Sequence, residues 1–169
     1  KQLREVIGLK RGTQMLPESQ LDRFMVRLSM GYPSHEAAVQ ILKGQEFVPM
    51  DSVERIVTRD ELIGLQDKAR TLSVHDSIFD YIVTLVEATR ESELFSMGAS
   101  PRGANALLRM SRAMAVLSGR EYVVPGDIAE VFNDVLGHRV KLAARARANG
   151  MTVAEALDEV RSQVKVPRT

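Results

Sequence analysis

Capping residues and apolar positions at helical spacing recur along the second two thirds of this chain, and they restrict it to a mainly helical fold. Thr58 and Glu61 are placed as a capping box, in which each side chain accepts a hydrogen bond from the backbone N–H of the other residue. One apolar stripe then follows at helical spacing: Leu62, Leu65, Ala69 and Leu72. The pattern predicts a helix over about 59–72.

Five further stretches predict helices after residue 72. A wide apolar face follows Asp76 and ends near residue 91, and a second run begins at Ser100-Pro101, an N-cap followed by proline at the first helical position. That second helix is expected to end at Gly119, since glycine readily adopts the left-handed conformation. The remaining three are expected over 126–136, over 138–148 and, after a capping box of Thr152 and Glu155, over the last part of the chain.

The region before residue 58 differs. Residues 24–30 alternate apolar and polar positions in their second half, which predicts a short strand ended by Gly31-Tyr32-Pro33. A short helix is expected over 37–42 and a connecting loop over 44–51. Because a single strand cannot satisfy its own backbone, its sheet is expected to be missing or to come from another chain.

Composition excludes several classes of protein. The 169 residues include no cysteine, which excludes a disulfide scaffold. Their net charge of +1 argues against a DNA coat or a polybasic membrane anchor. No apolar run is long enough to span a bilayer, and residues 1–5 lack the apolar core of a signal peptide, so a cytoplasmic location and no membrane span are expected. Arginine far outnumbers lysine, which keeps phosphate recognition open.

Catalytic clusters are scarce. His35, His75 and His138 lie far apart, so no metal site is predicted. No phosphate-binding loop of the form G-x-x-x-x-G-K-[ST] occurs in the sequence. The acidic pairs at 60–61 and 158–159 fall within predicted helices, where they are ordinary surface residues.

Two segments carry features that ordinary packing does not require. At 16–24 a short helix runs into the predicted strand, with Asp22 and Arg23 at the junction. At 98–103, Arg102 lies in the first turn of a helix, where a cation opposes the helix dipole, and Gly103 is a poor helix former. A helix N-terminus with a guanidinium and a glycine for close approach is suited to bind phosphate.

Five segments resemble the C-terminal half of MoxR-type AAA+ ATPases, in the same order and at similar spacing over about residues 12–140. They are 12–24 (GTQMLPESQLDRF), 31–33 (GYP), 81–83 (YIV) with 88–90 (ATR), 98–103 (GASPRG) and 135–139 (VLGHR). The resemblance implies an all-α lid bundle preceded by the last short helix and strand of a truncated α/β core. Its domains would be residues 1–32, the remnant of the core, and residues 33–169, the lid, with a hinge near 31–33.

The resemblance also assigns roles to individual residues. Arg23 is similar to the arginine finger, which reaches the γ-phosphate of ATP in the neighbouring subunit, and Asp22 would support it. Arg102 is similar to the sensor-2 arginine, which reaches the nucleotide of its own subunit, with Ser100 and Gly103 beside it. A positioned arginine stabilises the charge that spreads over the γ-phosphate during phosphoryl transfer.

The function implied by the resemblance is that of a homo-oligomeric ring ATPase with chaperone-like activity. It would use ATP and Mg²⁺ to remodel or mature client proteins, some of them with von Willebrand factor A domains. The sequence contains no Walker A or Walker B motif, so this chain alone is expected to be inactive and to bind neither ATP nor Mg²⁺ tightly.

Two alternatives remain open from the residues themselves. A helical nucleic-acid-binding module could use two arginine-rich sets, Arg109-Arg112-Arg120 and Arg139-Lys141-Arg145-Arg147, although the balanced net charge argues against it. A structural adaptor could dock through the edge of the strand that contains Met25 and Met30.

Overall fold

A computed structural model describes residues 16–44 and 52–168. We number the elements within these ranges in chain order. The helices are α1 (Glu18–Leu21), α2 (His35–Leu42), α3 (Arg59–Thr71), α4 (Asp76–Glu91), α5 (Pro101–Leu117), α6 (Pro125–Leu136), α7 (Ala144–Ala148) and α8 (Val153–Gln163), and the strands are β1 (Phe95–Met97) and β2 (Lys141–Leu142). The fold is mainly helical, as predicted.

The core lies between α4, α5, α6 and α8, and the most extensive helix–helix contact is that of α5 with α6. Side chains from all four helices are fully buried there, which removes their apolar surface from water and is the main stabilising contribution to the bundle. The largest of them are Phe132, Ile78, Leu85, Leu107, Ile128, Leu136 and Leu157.

Capping explains why these helices begin and end where they do. Both predicted capping boxes are confirmed, at Thr58 with Glu61 and at Thr152 with Glu155. The predicted terminator Gly119 has a φ of 70°, and the following N–H, that of Arg120, donates to Ala115 O at 2.9 Å. The local signals in the sequence therefore placed the ends of these helices correctly.

The predicted helix over 138–148 is wrong in its first half. Residues 141–142 form β2, which pairs antiparallel with β1 and aligns Phe95 with Leu142 and Met97 with Lys141. Only the short α7 follows. Two hydrogen bonds between distant residues hold this part of the chain extended: Ala143 N–H donates to Leu94 O at 2.8 Å, and Ser96 Oγ donates to Leu142 O at 3.2 Å.

The predicted strand over 24–30 is also wrong, because no described residue in that segment forms a strand. Other partners hold this segment in place. Arg27 N–H donates to Asp134 O at 2.9 Å, and the guanidinium of Arg139 donates to the carbonyls of Phe24 and Met25. Met30 is fully exposed, but without a strand the adaptor hypothesis loses the edge on which it was based.

The outer helices α2 and α3 contain no fully buried residue among those described. The predicted loop over 44–51 lies outside the described residues after Gly44. No described helix is both long and apolar enough to cross a membrane. The predicted domain boundary between residues 32 and 33 stays a prediction.

Candidate functional site

The N-terminal end of α5 carries the segment that the sequence singled out as a phosphate site. Ser100 is the N-cap and Pro101 opens the helix, as predicted, but the Ser100 hydroxyl does not cap the helix. Instead, Ser100 Oγ donates to the carboxylate of Asp22, at 3.1 Å from Oδ1 and 3.0 Å from Oδ2. The structure therefore joins two residues that lie in the two separate segments.

Asp22 has a second partner, the cation of Arg139, that sequence reasoning missed. Arg139 Nε lies 3.2 Å from Asp22 Oδ1, and the side chain of Arg139 is 1% exposed while that of Asp22 is 24% exposed. The three residues Asp22, Ser100 and Arg139 form what we call the Arg139 network. Its members come from the chain after α1, the start of α5 and the chain after α6.

Arg139 also binds the backbone on both sides of the network. The terminal nitrogen Nη2 of its guanidinium donates to Asp22 O at 3.1 Å and to Phe24 O. The other terminal nitrogen, Nη1, donates to Met25 O at 3.1 Å and to Val135 O. Burial lowers the pKa of Arg139, and the carboxylate of Asp22 opposes that effect. Because arginine is the most basic side chain, it keeps its charge here, and the buried cation is neutralised by Asp22.

Gly103 lies against the same arginine. A Cβ on Gly103 would be 3.2 Å from Cδ of Arg139 and 3.2 Å from Cδ2 of Leu136. Close packing of α5 on Arg139 is therefore a sufficient reason for glycine at this position. Its expected role beside a phosphate stays a prediction.

The two predicted phosphate-binding arginines both have exposed side chains at this site. Neither the side chain of Arg23 nor that of Arg102 makes a hydrogen bond or an ion pair with another described residue. The charge of Arg102 lowers the pKa of Arg139, which indicates that the two guanidinium groups lie near each other. Exposed guanidinium groups without internal partners are available to bind phosphate in two-pronged geometry.

The loop before α5 is positioned by the C-terminal end of α4. Arg90 Nε donates to Ala99 O at 2.7 Å, and Ala99 N–H donates to the buried hydroxyl of Thr89 at 2.9 Å. Sequence reasoning gave no structural role to Thr89, Arg90 or Arg139. All three lie within the segments that carry the family resemblance, and Arg139 was also counted in an arginine-rich set of the nucleic-acid alternative.

His138 lies at the edge of the network. Its Nε2 is 2.9 Å from Phe24 O and 2.9 Å from a terminal nitrogen of Arg139, so the neutral ring either donates to the first or accepts from the second. Burial is the main cause that lowers the pKa of His138. The ring also lines a cavity of about 330 Å³ whose other walls include Leu21, Phe24 and Val26.

The arginines named in the nucleic-acid hypothesis differ in their environments, because some are buried or paired and others are exposed. Arg139 is buried, Arg120 pairs with the buried carboxylate of Asp127, and Arg112 donates to Arg70 O at 3.1 Å. Arg109, Arg145 and Arg147 remain exposed. The arginines of the two sets therefore do not form one continuous basic face.

No group of three or more described His, Cys, Asp or Glu side chains is placed to hold a metal ion.

One known protein family matches the helical part of the chain. The family described as AAA lid domain matches residues 87–160, which run from α4 through α8. The match includes Ser100, Arg102, Gly103 and Arg139, whereas Asp22 and Arg23 lie outside it.

Several characterised and uncharacterised proteins are similar over most of the chain. An uncharacterized protein of Bacillus subtilis, YeaC, is 39% identical over 157 residues, which are 92% of this chain and 49% of that protein. Chaperone MoxR1 of Mycobacterium tuberculosis is 34% identical over 93% of this chain and 44% of its own length. Protein MoxR of Methylorubrum extorquens is 33% identical over 75% of this chain and 43% of its own length.

A solved structure shares the fold. The crystal structure of a Cytophaga hutchinsonii protein, described as a "putative ATPase", superposes with a TM-score of 0.82 at 30% identity, over 94% of this chain and 51% of that one. The chain therefore spans about half the length of the relatives it matches.

Proposed function

Because this chain is related to the MoxR-type AAA+ ATPases, we propose that it supplies the lid and the arginine-finger segment of a ring-forming ATPase with chaperone-like activity. The observation that carries the proposal is the placement of Arg23 and Arg102. Both side chains are exposed and make no ion pair with any residue in 16–44 or 52–168. Arg23 directly follows Asp22 and Arg102 lies two residues after Ser100, and both of these neighbours belong to the Arg139 network.

Arg102 would contact the nucleotide bound in its own subunit. It lies in the first turn of α5, where the backbone N–H groups and the helix dipole also favour a negative ligand. A guanidinium at this position adds a fixed positive charge to that end of the helix. When the lid closes on the nucleotide, this charge would stabilise the negative charge on the phosphates.

Arg23 would act on the nucleotide of the neighbouring subunit. An arginine that completes a site in trans needs a head-to-tail interface, and such an interface closes into a ring when its rotation allows closure. Arginine fingers of this kind accelerate phosphoryl transfer by about 10³- to 10⁵-fold. Asp22 would keep Arg23 at the interface by holding the adjacent backbone to the lid.

The biological task would be the ATP-driven remodelling or maturation of client proteins in the cytoplasm. The printed name of the Mycobacterium tuberculosis relative, a chaperone, supports this part of the proposal. Clients with von Willebrand factor A domains are the class that the family resemblance suggests.

The proposal is tested by steady-state ATP hydrolysis of the full-length gene product. We expect Arg23→Ala and Arg102→Ala each to lower kcat by about 10²-fold or more. The matched control is Arg109→Ala, which removes an exposed arginine two turns further along α5 and should leave kcat unchanged.

Mixing of subunits separates the two roles. Rings assembled from Arg23→Ala and Arg102→Ala subunits contain some interfaces in which an intact Arg23 faces a subunit with an intact Arg102. Such rings should recover part of the activity, because one arginine acts in trans and the other in cis. Equal activity of all variants, or ATP turnover by residues 1–169 alone that Arg102→Ala abolishes, would contradict the proposal.

A further inference from the structure

The Arg139 network lies between the two arginines that are proposed above to bind phosphate. Asp22 directly precedes Arg23, and Ser100 lies two residues before Arg102. The carboxylate of Asp22 accepts from Ser100 Oγ at 3.0 Å and from Arg139 Nε at 3.2 Å. Arg23 is therefore the covalent neighbour of the residue that carries this carboxylate, and Arg102 lies two residues after the serine that donates to it.

The network is rigid because Arg139 is buried and fully bonded. Its guanidinium donates to the carbonyls of residues 22, 24 and 25 on one side and to Val135 O at the end of α6 on the other. If residues 22–25 moved away from the lid, Arg139 would lose the carboxylate of Asp22 and these three carbonyls together. Its buried guanidinium would then have no anionic partner. That cost is high for charged groups in a protein interior.

We propose that Arg139 is a positioning residue that, through Asp22 and Ser100, holds Arg23 and Arg102 at a fixed separation. The proposal rests on the function proposed above for these two arginines. When the lid turns to bring Arg102 to the nucleotide of its own subunit, Arg23 moves with it as part of the same body. Binding of nucleotide in one subunit thereby changes the position of Arg23 at the nucleotide site of the next subunit in the ring.

The separation can be measured on this chain without any activity. Because the sequence contains no cysteine, spin labels can be placed at will, at Ser19→Cys in α1 and Asn105→Cys in α5, both of them exposed. We expect a narrow distance distribution between the labels. It should broaden in Asp22→Asn and in Arg139→Gln, which remove the charge from either side of the network.

Two controls separate positioning from general stability. A second label pair, Asn105→Cys with Glu159→Cys in α8, spans the bundle without the network and should stay unchanged in both variants. Arg120→Gln breaks another ion pair with a buried aspartate, that with Asp127, and should lower the unfolding temperature without broadening the distribution between residues 19 and 105.

A kinetic test follows in the full-length gene product. Asp22→Asn should lower kcat by about 10- to 100-fold, because small errors in the position of a catalytic group have effects of this size. KM for ATP should change by less than about twofold, since the variant does not remove a contact with the nucleotide. Arg120→Gln should leave both parameters unchanged below its unfolding temperature.

The outcomes decide the proposal. A distribution between residues 19 and 105 that stays narrow in both network variants would overturn it, as would equal broadening of the two label pairs or an unchanged kcat in Asp22→Asn. If Arg139→Gln does not fold, Asp22→Asn decides alone. Absence of ATP turnover in the wild-type gene product would contradict the proposed function instead, and the distances would still test the network.

Discussion

Gly98 lies so close to Arg90 that a Cβ at Gly98 would be 2.6 Å from the Cα of Arg90. This contact presses the loop before α5 onto the end of α4. Hydrogen bonds from Arg90 Nε and to Thr89 Oγ1 fasten the same loop through Ala99. The position of Ser100, and through it the Arg139 network, therefore depends on the close packing of Gly98 on Arg90.

Gly98→Ala should destabilise the chain by about 1–3 kcal/mol, because the added methyl group would collide with backbone atoms that cannot rotate away. The measurement is the free energy of unfolding from urea denaturation followed by circular dichroism. Gly126→Ala is the matched control in α6, where the nearest atom to the new Cβ is 3.9 Å away. It should be neutral or stabilise by up to about 1 kcal/mol, since alanine favours helix more than glycine does. Equal effects of the two variants would contradict the packing role of Gly98.

Asp127 is the buried acceptor that fixes the start of α6. Its carboxylate pairs with Arg120, accepts from Val124 N–H at 2.9 Å and has a side chain that is 3% exposed. Asp127→Ala should lower the free energy of unfolding by about 2–3 kcal/mol, because it removes both the ion pair with Arg120 and the bond from Val124 N–H.

A double-mutant cycle with Arg120→Met tests the coupling of this pair. The double variant should lose less stability than the sum of the two single variants, since neither charge is then left without its partner. Strict additivity in the same urea titration would show that the pair contributes nothing beyond its separate groups.

The stability of the chain should fall at acidic pH because of His138. Burial is the main cause that lowers the pKa of His138, with smaller lowering effects from Arg139 and Arg27, while Phe24 O and Asp22 oppose them. The unfolded chain thus binds this proton more tightly than the folded chain does. The contribution is fully present above the unfolded pKa of about 6.5 and is lost as the pH falls through the lower, folded value.

His138→Gln should make the free energy of unfolding less dependent on pH between about pH 7.5 and about pH 5.5, which is about one unit on either side of the unfolded pKa. The same substitution at His35, an exposed residue at the start of α2, is the control. If the wild type and His138→Gln lose stability in parallel over this range, the assignment of the effect to His138 is incorrect.

The two capping boxes should respond differently to the same change. Thr152→Ala should lower the global free energy of unfolding by about 1 kcal/mol, because α8 packs three fully buried residues into the core. Thr58→Ala removes the equivalent bonds from α3, which contains no fully buried residue. Its effect should appear mainly as faster hydrogen exchange within α3, with a smaller change in global stability. The reverse order of effects would contradict this division.

Local signals were sufficient for most helices. The capping boxes, the N1 proline of α5 and the left-handed Gly119 all depend on residues a few positions apart, so the sequence contains the complete interaction. The wrong predictions concern segments whose partners are distant. Residues 24–30 were expected to be a strand, but the carbonyls of Phe24 and Met25 are bound by Arg139 more than 100 positions later. Strand β2 exists only because β1 lies beside it.

The candidate site shows the same division. The resemblance pointed to Asp22, Arg23, Ser100, Arg102 and Gly103 as separate members of two segments, and it assigned no role to Arg139. The structure shows that Ser100 and Arg139 share the carboxylate of Asp22 and that Gly103 packs on Arg139. An arginine in a sequence gives no sign of whether it will be exposed or buried, because that depends on which carboxylate the fold brings to it.

The sequence by itself determined the helical class of this protein and the ends of most of its helices, because these follow from periodicity and capping within short stretches of chain. Only the tertiary structure decided which polar groups meet. The ion pair of Asp22 with Arg139 joins residues 117 positions apart, and contacts over such separations form only when the packed core places both segments side by side.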